Sequence, residues 1–368
     1  MGRPGGHHLG RARGPGRNHQ HDKDSPHGVQ RLMRRAVSAF ARDLLYDERR
    51  VYPVTERCPM KTPRRIVVVL AAALLFLALP AAAAEYIMEL PVPKDLSIGS
   101  IGSIMRNVSA AIEKKTGIKL TVRDHEYTHL TEPVDEMLDL MKKGSVDFAM
   151  VFANEYLRYH IKEGSNALPL FTIEMFGKPY RNMCAFTRAG EMPADAAGFK
   201  GKAWGGAATR NARYILYQNG VNPKDLGAFF GKMVFLKESD IATMFDAVLS
   251  GKVDLVTMPD YQAQMTINAN PKYKKLAKGF CEKYEHNWLF VYRKGVSEED
   301  AKKLKKSFLA AHKDPDFAQF KFLLTAVQGK FVDVDAESLK RTKKIAELGI
   351  ENNWYEEERK FIKTHYKE

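Results

Sequence analysis

The chain has 368 residues, enough for two domains of roughly 100–200 residues each, and its 45% hydrophobic and 28% charged residues are ordinary for a globular protein. This excludes wholesale disorder, a collagen-like repeat and a polytopic membrane protein. Lys and Arg number 58 against 44 Asp and Glu, a formal net charge of +14, which by itself points to a polyanionic partner such as nucleic acid. The charge is unevenly placed, however. Residues 1–59 carry 12 basic and 6 acidic side chains, residues 60–84 carry three basic and no acidic ones, and residues 85–368 carry 43 against 38. Most of the excess precedes residue 85, so no nucleic-acid partner is expected.

Residues 1–59 hold five of the eleven histidines among Gly, Arg and Pro and show no sustained apolar period. Such a segment cannot bury a core and reads as a non-native or disordered N-terminal extension. Met60 opens a different pattern: Lys61, Arg64 and Arg65, an apolar stretch from Ile66 to Leu79, Pro80, and small residues up to Ala84. A positive start, a short apolar run and a small-residue cleavage site make residues 60–84 a signal peptide, with an uncleaved anchor as the alternative. No cysteine follows the cleavage site, so a lipoprotein is not expected. A signal peptide this deep makes Met60 the expected start of translation.

From Glu85 the sequence alternates strand-like and helix-like segments. Leu96–Ile98 reads as a strand, followed by the turn Gly99–Ser103 and a helix with Ile104, Val108, Ala111 and Ile112 on one face, stopped by Gly117. Ile118–Val122 alternates as a strand. The next helix buries Val134, Met137, Leu138 and Met141 and ends at Gly144, before a strand from Val146 to Phe152. An internal echo follows. Met137, Asp139, Gly144, Val146 and Asp147 recur in place as Met244, Asp246, Gly251, Val253 and Asp254, which predicts two α/β lobes of similar design. Asp147 and Asp254 each open a strand after a helix stop, where a carboxylate most simply satisfies turn amides. Ser297 caps a later helix carrying Ala301, Leu304, Phe308 and Ala311, and Asp314-Pro-Asp316 opens another. The lysines at 302, 303, 305 and 306 read as a solvated face or a docking face for a permease.

The run Lys115-Thr-Gly117-Ile-Lys-Leu120, the paired Gly-x-Val-Asp echoes, Tyr180-Arg181 before a strand from Asn182 to Thr187, and Gly198-Phe-Lys-Gly201-Lys-Ala-Trp204 together resemble the phosphate/phosphonate-type periplasmic solute-binding proteins of ABC importers, in matching order over residues 95–310. The resemblance implies an α/β, two-lobed type II periplasmic-binding fold, each lobe a mixed sheet flanked by helices, joined by two crossing strands near Arg181–Phe186 and Trp288–Tyr292. Lobe 1 would be 85–182 with 287–368, and lobe 2 would be 183–286. It also implies a periplasmic location, a small-molecule ligand, an inner-membrane permease as partner, no cofactor and no catalysis. A monomer is expected.

Open α/β sheets bind ligands beyond the carboxyl ends of their strands, where helix N-termini offer free N–H groups. Four such turns supply the candidate ligand residues: Ser100 and Ser103; Phe152, Asn154 and Tyr156; Thr209, Arg210 and Asn211 after Gly205-Gly206; and Asp260 and Tyr261. The glycines would let backbone amides approach a ligand. Tyr127, Tyr156, Trp204 and Tyr261 are candidate pocket walls, against the plainer reading that aromatics at strand ends fill cores. The family carries a Ser-Thr-Ser-Gly-like turn where this chain has Ala208-Thr209-Arg210-Asn211. Two hydroxyls are replaced and a cation appears. Arg210 could grip an oxyanion bidentately or face solvent. The lost hydroxyls also admit a lipid or other hydrophobic-metabolite carrier, and the fold admits a sensory binding protein.

His125-Glu-Tyr-Thr-His129 spells the H-E-x-x-H zinc motif, but Pro133 belongs in the first turn of the next helix, which leaves the five residues in a strand-to-helix loop; neither a metalloprotease nor a metal site is expected, with a His pair holding a metal for transport as the alternative. The three cysteines, Cys58, Cys184 and Cys281, are too few for a disulfide scaffold or zinc ribbon. Cys184 and Cys281 lie near the two expected crossings. Two free buried thiols are the simpler reading and a disulfide the alternative.

Overall fold

A computed structural model describes residues 84–94 and 101–366, apart from Ser239, Gln319, Phe320, Phe322, Leu323 and Ala326, and gives only the backbone of residues 101–105. The extension 1–59, the signal segment before Ala84, the strand expected at Leu96–Ile98 and Ser100 lie outside the described residues.

The first strand is β1 (Glu85–Pro93). Helix α1 (Ile101–Thr116) buries Val108, Ala111 and Ile112 on the stripe that its periodicity requires. It starts at Ile101, so Ser103 lies in its first turn rather than in a preceding loop. Then come β2 (Lys119–Tyr127), α2 (Pro133–Lys142), β3 (Phe148–Val151), α3 (Ala153–Glu163) and β4 (Ala167–Glu174). Pro133 sits at the start of α2, where its missing N–H costs no hydrogen bond. The chain then leaves this sheet and builds a second one with β5 (Tyr180–Arg188), β6 (Ala203–Gly206), α4 (Thr209–Gln218), the single turn α5 (Leu226–Phe229), β7 (Lys232–Phe235), α6 (Ile241–Leu249), β8 (Leu255–Pro259), α7 (Asp260–Ala269) and β9 (Leu276–His286). It returns through Asn287 and Trp288 to β10 (Leu289–Arg293), α8 (Glu298–Ala310), β11 (Lys330–Val332), α9 (Ala336–Glu351) and α10 (Trp354–His365).

The strand orders, β11-β4-β10-β3-β1-β2 and β7-β6-β8-β5-β9, are two copies of one plan. In each, a parallel trio (β2-β1-β3 and β7-β6-β8) meets one antiparallel strand supplied by the chain crossing from the other lobe. The echoed sequence explains the match. Gly144 and Gly251 both end their helices at φ 76°, a conformation that L side chains adopt only with strain. The aspartate three residues later then pins the neighbouring strand. Asp147 accepts from Ile87 N at 2.9 Å and pairs with Arg293, and Asp254 accepts from Ala203 N at 2.7 Å and pairs with Arg188. Each arginine ends the antiparallel strand of its own sheet, so one carboxylate ties a parallel and an antiparallel strand together.

The lobes have separate apolar cores. Besides clusters that hold Met137 and Val151 in lobe 1 and Phe186 and Phe245 in lobe 2, one is built around Phe171, Phe290, Phe308 and Phe331 and a second around Trp204, Phe230 and Ile215. The second also takes in Trp354 and Phe361, so the last helix packs on lobe 2 although the strand before it belongs to lobe 1.

Cys184 and Cys281 form a disulfide rather than two free thiols, because β5 and β9 are adjacent antiparallel strands and bring their Cα atoms to 4.1 Å. It closes a loop of 97 residues and therefore restricts the unfolded chain strongly. The double variant Cys184→Ser/Cys281→Ser is expected to lose about 2–4 kcal/mol of stability in urea unfolding. Unchanged stability would show that the bridge is incidental.

Candidate functional site

Helix α3 of lobe 1 and helix α4 of lobe 2 begin at the carboxyl ends of their strands, and both begin without a capping side chain: Phe152 precedes α3 and Ala208 precedes α4. Neither residue has a side-chain oxygen to accept from the first-turn amides, so those amides must be satisfied from elsewhere. Carboxylates do it. Asn154 N donates to Glu285 Oε2 at 3.1 Å, Ala208 N to Glu238 Oε1 at 3.3 Å, and Arg210 N to Glu358 Oε2 at 2.9 Å. The three acids come from β9, from the loop before α6 and from α10.

Arg210 does not face solvent; its side chain is 15% exposed and is held by carboxylates of the chain. Its guanidinium spans the lobes: Nε donates to Glu358 Oε1 at 2.7 Å, Nη2 to Glu155 Oε1 at 2.8 Å and Nη1 to Asn154 Oδ1 at 3.2 Å. The ring of Tyr355 lies 4.9 Å from the guanidinium carbon, and its hydroxyl also donates to Asn154 Oδ1. Arg181, at the start of β5, pairs with Glu285. Helix α10 is tied to both sides, through Arg359 to Glu132 of lobe 1 and through Glu357 to Arg213 of lobe 2 at 2.5 Å.

The charges respond to this crowding. Burial disfavours the Arg210 cation, but Glu358 and Glu155 outweigh it and hold its pKa well above the ordinary value. Burial also raises Glu155, yet Arg210 brings it below the usual carboxylate range. For Glu358, burial wins over Arg210 and the pKa is raised. Burial first, and next the negative charge of Glu358, push Glu238 up to about 7. Buried donors at this point without a hydrogen-bond partner among the described residues include Asn154 Nδ2, Thr209 Oγ1 and Arg181 Nε.

Toward the crossings, a cavity of ≈ 140 Å³ is lined by Phe176, Lys178, Tyr180, Asp260, Tyr261 and Lys278, among others. Asp260 opens α7 and accepts from Asn182 Nδ2 at 2.9 Å, and Tyr261 stacks on Phe176.

The residues singled out from sequence therefore separate. Asn154, Thr209, Arg210 and Asn211 come together, with Asn211 Nδ2 donating to Glu238 at 3.1 Å, and Asp260 and Tyr261 line the neighbouring cavity. Phe152 packs edge-on to Trp288, and Tyr127 closes β2. Trp204 and Tyr156 are corrections. Trp204 is fully buried in the lobe 2 core, and Tyr156 is buried in lobe 1 with its hydroxyl on Ala167 O, so neither forms a pocket wall. The glycines before α4 also serve packing: a Cβ on Gly206 would sit 2.6 Å from the Trp204 ring, and one on Gly205 2.6 Å from Leu236. Sequence reasoning missed Glu238, Glu285, Tyr355 and Glu358. The last left a signal, an acid on the buried stripe of α10 between Trp354 and Phe361.

The H-E-x-x-H residues are not a loop throughout, since β2 runs through His125, Glu126 and Tyr127. His125 hydrogen-bonds Glu89 and Glu136, each at 3.0 Å, while His129 packs edge-on against Phe235 and Tyr366. The two imidazoles thus serve different contacts, and no cluster of three His, Cys, Asp or Glu among the described residues is placed to hold a metal.

A family profile described as the periplasmic substrate-binding protein of an ABC phosphonate transporter matches residues 102–338. The chain belongs to this family. It is a solute-binding protein of an ABC importer, periplasmic by family, with a small-molecule ligand and a membrane permease as partners, and it is not an enzyme. Solved structures share the type II periplasmic-binding fold at low identity. PhnD1 from Prochlorococcus marinus MIT 9301 in complex with methylphosphonate has 15% identity and TM-score 0.54, covering 73% of this chain and 99% of that one. XAC2383 from Xanthomonas citri bound to chloride has 14% identity and TM-score 0.54, covering 73% and 98%. A binding protein component of an ABC phosphonate transporter from Pseudomonas aeruginosa has 14% identity and TM-score 0.51, covering 73% and 88%. No curated protein matches the chain by sequence. The family match ends at residue 338, before α10 and its Glu358.

Glu238 gives this solute-binding protein a pH dependence of defined sign. A carboxyl at about 7 in the folded chain and near its ordinary value of about 4.3 when unfolded favours folding in its protonated form. That contribution is complete below about pH 4.3 and is lost as pH rises through about 7. Urea unfolding between pH 4.5 and 7.5 should show the native protein losing stability relative to Glu238→Gln, whereas parallel curves would place the carboxyl at an ordinary pKa.

Proposed function

We propose that the protein captures a small oxyanion, of the phosphonate or phosphate type, between the N-termini of α3 and α4 and delivers it to its importer. The observation that carries this is the occupancy of those N-termini. Amides of both helices, together with the guanidiniums of Arg181 and Arg210, are held by carboxylates of the chain itself, so the cleft is built to bind negative charge. Thr209, Arg210, Asn154 and Asn211 would contact the anion, with Asp260 and Tyr261 facing the rest of the ligand from the neighbouring cavity. Contacts from both lobes to one ligand would favour the closed arrangement of a hinge formed by the two crossings. We assign lobe 1 to 85–182 and 287–368 and lobe 2 to 183–286, with α10 touching both.

The test is a thermal-shift series with methylphosphonate, inorganic phosphate, methanesulfonate and a long-chain fatty acid. A ligand at a hundredfold excess over Kd stabilises by about 2.7 kcal/mol, a rise of several degrees. An oxyanion response that is lost in Arg210→Gln is expected. A response to the fatty acid alone would contradict the reading.

Export through a signal peptide at residues 60–84 and a monomeric mature chain belong to the same proposal. The start of β1 at Glu85 and the disulfide, which persists in oxidising compartments, support the export. N-terminal sequencing of the exported protein should begin at Glu85. A sequence starting before Met60 would contradict it.

A further inference from the structure

We propose that Glu358 is an internal stand-in for the ligand's anionic group, so that a solute reaches the seat at the start of α4 only by displacing the Glu358 carboxylate. The inference rests on the oxyanion reading above and deepens it, because it names the residue that sets which anions can bind and how tightly.

Three observations carry it. First, the Glu358 carboxylate makes the contacts that an anion would make there, one oxygen on the Arg210 backbone N–H at 2.9 Å and the other on Arg210 Nε at 2.7 Å. Second, it leaves donors unused. Thr209 is 3% and Asn154 1% exposed, and Thr209 Oγ1 and Asn154 Nδ2 have no partner among the described residues, although Asn154 Oδ1 already accepts from Arg210. A planar carboxylate has two oxygens, both engaged. A tetrahedral oxyanion has at least one more, which could satisfy a buried donor that Glu358 leaves unpaired.

Third, Trp354 and Phe361 anchor α10 in the lobe 2 core while its polar side chains face the cleft and its rim, Tyr355 meeting Asn154, Glu357 Arg213, Glu358 Arg210 and Arg359 Glu132. An incoming oxyanion would replace the Glu358 carboxylate on Arg210 charge for charge, so the buried guanidinium would not be left unpaired by the exchange. The helix also follows the segment that matches the family, so the family's own pattern does not account for it.

An internal competitor lowers apparent affinity in proportion to the fraction of molecules whose seat is free. It also selects. Simple carboxylates repeat what Glu358 already offers and gain little by exchange, whereas phosphonates and phosphate gain the unused donors.

The experiment is titration calorimetry of the full chain with methylphosphonate, inorganic phosphate and acetate, comparing the native protein with Glu358→Gln. Glutamine keeps the volume and one acceptor oxygen for Arg210 but removes the charge. The variant should bind methylphosphonate or phosphate at least about tenfold more tightly, with acetate weakest in both. Equal or weaker oxyanion binding by the variant, while the native protein binds, overturns this inference and leaves the oxyanion reading standing. No oxyanion binding by either protein overturns both. Should Glu358→Gln fold poorly, hydrogen exchange on the native chain decides the matter. Saturating methylphosphonate should speed exchange of the amides of residues 354–365, and unchanged or slower exchange there rejects displacement.

Discussion

A guanidinium buried between two lobes has to be matched by carboxylates, and Arg210 imposes this on the whole molecule. An unpaired buried cation would cost several kcal/mol, more than most single contacts return. Arg210 therefore draws Glu155 from lobe 1 and Glu358 from the C-terminal helix, and Asn154 and Tyr355 complete its surroundings. Because Arg210 is itself in the first turn of α4, the same carboxylate that neutralises it also satisfies a helix amide. One side chain thus ties lobe 1, lobe 2 and the chain's last helix to a single point.

The frame that brings Arg210 there is duplicated. Each sheet places a parallel trio beside an antiparallel strand that arrives from the other lobe, and each uses an aspartate–arginine pair to lock the two. This arrangement makes the connections short and keeps the strand ends of both lobes directed at one cleft. The chain passes between the two sheets at residues 175–179 and at Asn287–Trp288, and the disulfide joins β5 to β9 within the second sheet.

Much of this was legible in the sequence because it rests on local rules. The Met-Asp-Gly-Val-Asp echo carries a helix stop and a strand start that depend on φ at one glycine and on one carboxylate, and the structure repeats both at Gly144 and Gly251. The turn after β6 was also found, since a strand followed by small residues and a helix start is a local pattern. What fills the turn was not. Glu238, Glu285 and Glu358 reach it from distant parts of the chain, and only the fold decides which carboxylate meets which amide. Trp204 misled for a related reason: an aromatic before a glycine pair reads equally as pocket wall or core, and the close fit of Gly206 against its ring decides for core.

The central claim is that the anion seat at α4 is held by the chain's own carboxylate and yielded to a ligand. A crystal structure of the full chain grown with methylphosphonate tests it most directly. Phosphonate oxygens are expected on Arg210, Thr209 and Asn154, with the Glu358 carboxylate moved off the seat. Methylphosphonate bound elsewhere, with Glu358 still hydrogen-bonded to Arg210, would contradict it.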